Sequence, residues 1–136
     1  MLDKIVIRMS VLILIIFVLV AVFYERPVTQ GKRAAYLPVE GFVADEIMGK
    51  QLFQQHCVRC HGQRLEGSSS GPSLLHPYYK PEHHGDLSIY LAIYQGVRQH
   101  HWQFGNMPAF KNLTAEDAGH LLRYIRSEQV IAGLIQ

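Results

Sequence analysis

Hydrophobic and polar positions divide the chain into an apolar N-terminal stretch and a patterned remainder. Residues 9–24 carry no charge, and apolar residues before Arg8 extend the stretch to about 20 residues. Because a membrane-spanning helix needs roughly 20 such residues, we expect one N-terminal transmembrane helix, an uncleaved anchor over residues 1–24. A cleaved signal peptide is the alternative, although no small-x-small cleavage site follows the apolar core. Residues 25–44 contain prolines and glycines at short intervals and are predicted to form a linker.

Three helices and no strand are predicted in the domain over residues 45–136. Asp45 is a suitable N-cap for the first helix, and Gly96 ends the second. Thr114 and Asp117 form a variant capping box at the start of the third. The predicted helices cover residues 45–56, 86–95 and 114–129.

The second and third helices carry apolar residues at the i, i+3, i+4 and i+7 positions of an amphipathic helix. These stripes are Leu87, Tyr90, Leu91 and Tyr94, then Ala118, Leu121, Leu122 and Ile125. Residues 62–85 form a long irregular segment, which is unusual for so small a domain. Since three short helices bury little apolar surface by themselves, another apolar body is expected to fill the centre.

Composition excludes several classes of protein. With 49% hydrophobic and 18% charged residues, the chain is too apolar to be disordered. A formal net charge of +2 is too small for a nucleic-acid-binding surface. Two cysteines exclude a disulfide scaffold and a four-cysteine zinc site.

Both cysteines belong to one C-x-x-C-H motif formed by Cys57, Cys60 and His61. This spacing suits two thioether bonds to the vinyl groups of one haem, with the adjacent imidazole on the iron. A thioredoxin-type redox pair would need a βαβ context, a zinc site would need two further ligands, and a four-residue disulfide would add little stability. We therefore predict one covalent haem c, which also supplies the missing apolar body.

With this motif, residues 45–129 resemble the class I c-type cytochromes, in a membrane-anchored form. In that family a small residue, here Gly49, lets the last helix cross the first closely, and Phe53 packs beside it. The resemblance implies that the carbonyl of Pro72 accepts a hydrogen bond from the proximal imidazole and that Met107 is the distal ligand. It also implies an all-α fold, a small cytochrome c-like helical domain wrapped around one covalent haem.

The sixth iron ligand can also be considered from the residues alone. Met48 lies on the helix that precedes the motif and is expected to pack in the core. Met107 is followed by Pro108, which fixes the local backbone, and is favoured as the ligand. The adjacent His100 and His101 leave bis-histidine ligation open as an alternative.

Other polar side chains near this segment are candidates for contacts with the haem propionates. Arg98 can donate charge-assisted hydrogen bonds, and Trp102 can donate an indole N–H bond. His100 and His101 are either further propionate contacts or part of an exposed loop. His83 and His84 suggest a copper site, but the sequence shows no thiolate and no third converging ligand. His83 and His84 are therefore predicted to lie in a solvated turn.

The function predicted from these residues is one-electron transfer. No catalytic residue is proposed, because the chain shows no paired carboxylates and no nucleophile–base arrangement. Since covalent haem attachment occurs outside the cytoplasm, we expect a single-pass protein of the bacterial cytoplasmic (inner) membrane with its haem domain in the periplasm. Expected partners are redox proteins, notably integral membrane complexes, and not nucleic acid or a small-molecule substrate. A permanent haem subunit of a larger oxidoreductase and a haem-based ligand sensor with a labile sixth ligand are the alternatives.

Overall fold

The computed structural model describes residues 2–24 and 37–136. Apart from two isolated β-bridges, the regular structure in these residues is helical. The chain divides into two compact units, Met1–Gly31 and Lys32–Gln136. The elements are α1 (Leu2–Tyr24), α2 (Glu46–His56), α3 (Val58–His61), a 3-10 turn (Pro77–Tyr79), α4 (Asp86–Gln95) and α5 (Ala115–Ile131).

Helix α1 corrects the prediction of an N-terminal transmembrane helix. Within the described part of the chain, no helix combines the length and the apolar character that crossing a membrane requires. The uncharged stretch of α1 begins only after Arg8 and covers residues 9–24. At a rise of about 1.5 Å per residue it is roughly 24 Å long, whereas the hydrocarbon core of a bilayer is roughly 30 Å thick. The transmembrane prediction is therefore wrong.

The predicted linker is only partly within the described residues, because residues 25–36 lie outside them. Its remaining part packs on α5. The ring of Phe42 meets the ring of His120 edge to face, with centroids 4.9 Å apart. A Cβ built on Gly119 would lie 2.6 Å from Cε1 of Phe42, so this contact leaves no room for a side chain on α5.

Helix α2 begins where its cap was predicted. The carboxylate of Asp45 accepts a hydrogen bond from the backbone N–H of Met48, at 2.9 Å. The backbone N–H of Asp45 donates to Nδ1 of His120 on α5, at 2.8 Å. The cap therefore satisfies one of the unpaired N–H groups at the start of α2, and the bond to His120 ties this turn to α5.

Helices α2 and α5 cross in close contact, as the resemblance implied. A Cβ on Gly49 would lie 2.0 Å from the backbone oxygen of His120, so only glycine allows this separation. Beside the crossing, Phe53 is completely buried and meets Tyr124 edge to face, with centroids 5.4 Å apart. The prediction that Met48 packs in the core is wrong, because it lies on the outer side of α2 and is 45% exposed.

The predicted N-terminal cap of α5 and its predicted apolar stripe are both confirmed. Thr114 and Asp117 form the reciprocal capping box, each side chain accepting a hydrogen bond from the other's backbone N–H. The cap is expected to stabilise the helix by about 1 kcal/mol. The four predicted stripe residues are all buried: Ala118, Leu121, Leu122 and Ile125.

Helix α4 has the predicted bounds but buries a different face. Of the predicted stripe only Tyr90 is buried, together with Ile93, which was not predicted. The helix packs against α5 and also lines a cavity with Ile89, Ala92 and Ile93. Because two of its sides face apolar surroundings, a single stripe does not describe it.

The long segment between α3 and α4 is fastened to α5 by two polar side chains. Gln129 is completely buried, and its amide donates to the backbone oxygen of Leu74 at 2.8 Å. Arg126 donates to the backbone oxygens of Tyr79 and His84, both at 2.7 Å, and pairs with Asp86 at 2.9 Å. These bonds satisfy loop carbonyls that no regular structure would pair.

Candidate functional site

The C-x-x-C-H motif forms a single helical turn directly after α2. The backbone N–H groups of Cys60 and His61 both donate to the backbone oxygen of Cys57, at 3.1 and 2.9 Å. Both cysteines are free thiols and are half-buried. The turn therefore presents two thiols and one imidazole from adjacent positions of a rigid element.

The protonation of Cys57 argues against a redox-active thiol pair. Burial, and secondarily the charge of Cys60, raise the pKa of the Cys57 thiol to about 12. Reactive C-x-x-C pairs depend on a thiol whose pKa is depressed, since the thiolate is the nucleophile. At neutral pH Cys57 is protonated, which disfavours thioredoxin-type chemistry.

The imidazole of His61 is oriented by the neighbouring loop. Its Nδ1 donates a hydrogen bond to the backbone oxygen of Pro72, at 2.9 Å. This bond places the proton on Nδ1 and leaves Nε2 as the electron-pair donor. Burial lowers the pKa of His61, and the bond to Pro72 partly offsets that shift. The loop approaches closely because Gly71 has no side chain, and a Cβ there would lie 2.8 Å from that of Cys60.

A cavity of about 430 Å³ lies among the helices of the second unit. Its volume falls within the roughly 300–1,000 Å³ of pockets that hold cofactors. Its apolar walls come from α2, α4, α5 and the long loop, through Phe53, Leu74, Ile89, Ala92, Ile93, Leu121 and Ile125. Cys57, His61 and Pro72 line the same cavity.

Met107 also lines this cavity, on a segment that is fixed by backbone hydrogen bonds. Met107 and Val97 form an antiparallel bridge with N···O distances of 2.9 and 3.0 Å. Gly96 permits the bridge because its φ is +71°, and a Cβ there would lie 2.5 Å from the backbone oxygen of Met107. The methionine side chain therefore extends from a braced position. A smaller adjoining cavity is lined by Cys60, His61, Pro72 and Met107.

Of the two predicted propionate donors, Trp102 lies at the cavity and Arg98 does not. Trp102 lines the cavity, and its Nε1 is buried without a hydrogen-bond partner of good geometry among the described residues. Burial raises the pKa of Tyr79, and a hydrogen bond between its side chain and the Trp102 indole partly offsets that rise. Arg98 is exposed and is absent from the described residues that line either cavity. Trp102 therefore places a buried N–H donor at the wall of the cavity, whereas Arg98 does not reach it.

Four histidines line the cavity: His83, His84, His100 and His101. The ring nitrogens Nε2 of His83 and His101 are 3.1 Å apart. The expectation that no third ligand converges on the 83–84 pair is therefore wrong, because the fold brings two loops together. Burial, and secondarily the charges of neighbouring histidines, lower the pKa of His101.

Sequence patterns missed two kinds of residue at this site. The cavity-lining residues of α4 were not assigned, although a helix that is apolar on all sides indicates burial on two faces. Arg126 and Gln129 were not assigned either. The signal available for Gln129 is its position one turn after Ile125, which puts an amide in line with the buried stripe.

A model of the cytochrome c family matches residues 47–129, which is more than half of the chain. The protein therefore belongs to the cytochrome c family, and its cofactor is covalent haem c. No curated protein and no solved structure matches the chain.

The residues of the cavity fit this cofactor. Cys57 and Cys60 have the thioether spacing, and the proximal nitrogen of His61 is set by Pro72. The apolar walls suit a porphyrin, and the buried N–H of Trp102 at the cavity wall suits an anionic propionate. The prediction of one haem c is thus confirmed, whereas the role of each ligand residue stays a prediction.

The thioether assignment predicts how the haem behaves when the protein unfolds. We expect the haem to remain on the denatured protein during gel electrophoresis, because covalent bonds survive denaturation. Cys57→Ala and Cys60→Ala should each lower the yield of folded haem protein severalfold, and the double variant should retain no haem on the gel. Haem staining and intact mass measure both effects. Complete loss of haem from the denatured, unsubstituted protein would contradict the assignment.

Proposed function

We propose that the protein is a one-electron carrier of the class I c-type cytochrome kind, with His61 and Met107 as the axial ligands. The single observation that carries this proposal is that both side chains line one apolar cavity, where Pro72 holds the ring of His61 and Val97 holds the backbone of Met107. The bound haem supplies an iron that alternates between the ferric and ferrous states. A thioether ligand favours the ferrous state and so raises the reduction potential.

The protein's own residues keep the site unchanged between the two oxidation states. Pro72 fixes the ring of His61, and Val97 fixes the backbone of Met107. Most of the cavity wall is apolar, and the indole of Trp102 provides one donor for a propionate. Because little has to rearrange when an electron moves, such a site suits transfer rather than substrate binding.

Bis-histidine ligation of the iron, by His61 and a second histidine, is the alternative to ligation by Met107. His100 and His101 line the same cavity as Met107. Either imidazole in place of the thioether would keep the iron six-coordinate and lower its potential. Electron transfer would remain the function, so this alternative changes the ligand and not the class of protein.

The location follows from the attachment chemistry, and both the location and the partners are part of the proposal. Thioether bonds to haem are made outside the cytoplasm, so we place the haem domain in the bacterial periplasm. Its partners would be redox proteins, notably integral membrane complexes. Blue-native electrophoresis of solubilised membranes separates a free carrier from a permanent subunit of a larger oxidoreductase, because only the subunit migrates with the complex.

The carrier proposal is tested by exposing the reduced protein to carbon monoxide. A six-coordinate iron has no free position, so we expect the absorption spectrum of the ferrous protein to stay unchanged. A potentiometric titration of the same sample should fit a single one-electron step. Ready formation of a CO complex by the native protein would instead support a ligand sensor and would overturn the carrier proposal.

A further inference from the structure

Five histidines from three separate segments gather beside the haem cavity. We call them the histidine cluster: His76, His83, His84, His100 and His101. The first three precede α4, and the other two follow it. The cluster is therefore built by the tertiary fold. Within the function proposed above, only His100 and His101 have a possible use, as alternative haem ligands or propionate contacts.

Three members of the cluster have the geometry of a metal site. One ring nitrogen from each of His83, His84 and His101 lies within 4.8 Å of the other two. The Nε2 atoms of His83 and His101 are 3.1 Å apart. Two imidazole nitrogens that share an ion at about 2.0–2.1 Å lie roughly 2.9 Å apart at a right angle and roughly 3.3 Å apart at the tetrahedral angle. The observed separation falls between these values.

The ring of His84 is oriented as metal-binding imidazoles usually are. Its Nδ1 donates a hydrogen bond to the backbone oxygen of Tyr78. A carbonyl has no proton to give, so Nδ1 carries the proton and Nε2 keeps its electron pair for an ion. The backbone of His84 is held as well, because Arg126 donates to its carbonyl oxygen at 2.7 Å. The ligand is thus positioned before any ion arrives.

The ring of Tyr78 contacts the other two histidines, His83 and His101. The ring of Tyr78 lies against His101, with centroids 4.4 Å apart, and against His83 at 5.6 Å. His83 is exposed, whereas His84 and His101 are half-buried. An ion therefore has a route from solvent and a position open to water, as in metal sites with three protein ligands.

We propose that His83, His84 and His101 bind one divalent transition-metal ion, Zn²⁺ or Cu²⁺, with water completing its coordination. Three imidazoles suit these ions better than Mg²⁺ or Ca²⁺, which prefer oxygen ligands. The ion joins the loop before α4 to the loop after it. Since the second loop leads to Met107, the ion stiffens the segment that carries the distal haem ligand.

The test uses the full-length, haem-loaded protein after chelator treatment, titrated with zinc chloride in a calorimeter. We expect one equivalent of Zn²⁺ to bind. His83→Gln and His101→Gln should each weaken binding at least tenfold, because each removes a direct ligand. The matched control is His120→Gln on α5, outside the cluster, which keeps an acceptor for the N–H of Asp45 and should bind Zn²⁺ normally.

A second probe identifies the ligands directly. With one equivalent of copper(II) sulfate, electron paramagnetic resonance should show coupling to several imidazole nitrogens, and His83→Gln should reduce it. His83 is exposed, so its replacement leaves the fold intact, and an unchanged haem absorption spectrum verifies this.

Three outcomes would overturn the metal site. Unchanged Zn²⁺ affinity in both variants would show that the ion binds elsewhere. Absence of binding to the haem-loaded native protein would show that the cluster is closed to metals. A changed haem spectrum in His101→Gln without added metal would make His101 a haem ligand. The carrier proposal is judged separately, by the CO and potentiometric measurements, and can hold when the metal site fails.

Discussion

Met107→Ala is expected to convert the protein from one that ignores carbon monoxide into one that binds it. Alanine leaves the iron without its thioether, and the backbone bridge to Val97 keeps the emptied position from closing. The oxidised native protein should show the weak sulfur-to-iron charge-transfer band at the near-infrared edge, and the variant should lack it. Absorption spectra of both oxidation states, with and without CO, measure the change.

A conservative replacement separates the ligand from its loop. Met107→His should keep the iron six-coordinate and exclude CO, but lower the reduction potential, because imidazole stabilises ferric iron better than thioether does. The shift should be a readily measured part of the roughly 0.8 V that axial ligands span. Potentiometric titration gives the value.

The histidines beside the cavity provide the controls for this assignment. His100→Ala and His101→Ala should leave the ligand field and the charge-transfer band intact. The assignment of Met107 is wrong if either of these variants removes the sixth ligand while Met107→Ala leaves the spectra unchanged. That result would establish bis-histidine ligation, with one-electron transfer at a lower potential.

Gly49→Ala is expected to cause the largest loss of stability. Any Cβ at this position lies 2.0 Å from the backbone oxygen of His120, which cannot rotate away as a side chain can. Helices α2 and α5 must therefore separate, which disturbs the buried contact between Phe53 and Tyr124. We expect the free energy of unfolding to fall by about 3 kcal/mol or more, against roughly 5–15 kcal/mol for a typical domain. Denaturant unfolding followed by circular dichroism measures the loss.

Gly85→Ala is the matched control for this prediction. Gly85 has a φ of −61°, which alanine adopts freely, and its Cβ would meet only the backbone oxygen of Pro81, at 3.4 Å. Its effect should stay within about 1 kcal/mol, because unfolded-state entropy and the weaker N-cap nearly balance. Equal losses from the two glycine variants would contradict the crossing as the cause.

Features that depend on neighbouring residues were predictable from the sequence. Helices α2, α4 and α5 occur where predicted because caps such as Asp45 and Thr114 act within one turn. The haem motif is equally local, since Cys57, Cys60 and His61 occupy one turn. The buried face of α4 was mispredicted, because a single stripe was sought in a helix that is apolar on several sides.

Features that depend on distant segments were harder to predict. The meeting of His83 with His101 joins two loops on either side of α4, and neither loop contains a signal for the other. The contacts of Arg126 with the carbonyls of Tyr79 and His84 have the same character. The prediction of a transmembrane helix was wrong for another reason. It added the apolar residues before Arg8 to the uncharged stretch after it, whereas no described helix meets the requirement for a membrane span.

The crossing of α2 and α5 has a consequence for the order of events during synthesis. The contact between Phe53 and Tyr124 cannot form until Tyr124 has been synthesised, roughly 70 residues after Phe53. At ribosomal rates this delay is about 4 to 14 s. The loop closed by this pair is long, so its closure is slow compared with the formation of either helix. Until α5 docks, the cavity beside the C-x-x-C-H turn is open on the side that this helix completes. Haem can be attached to an accessible chain, and the last helix then closes over it.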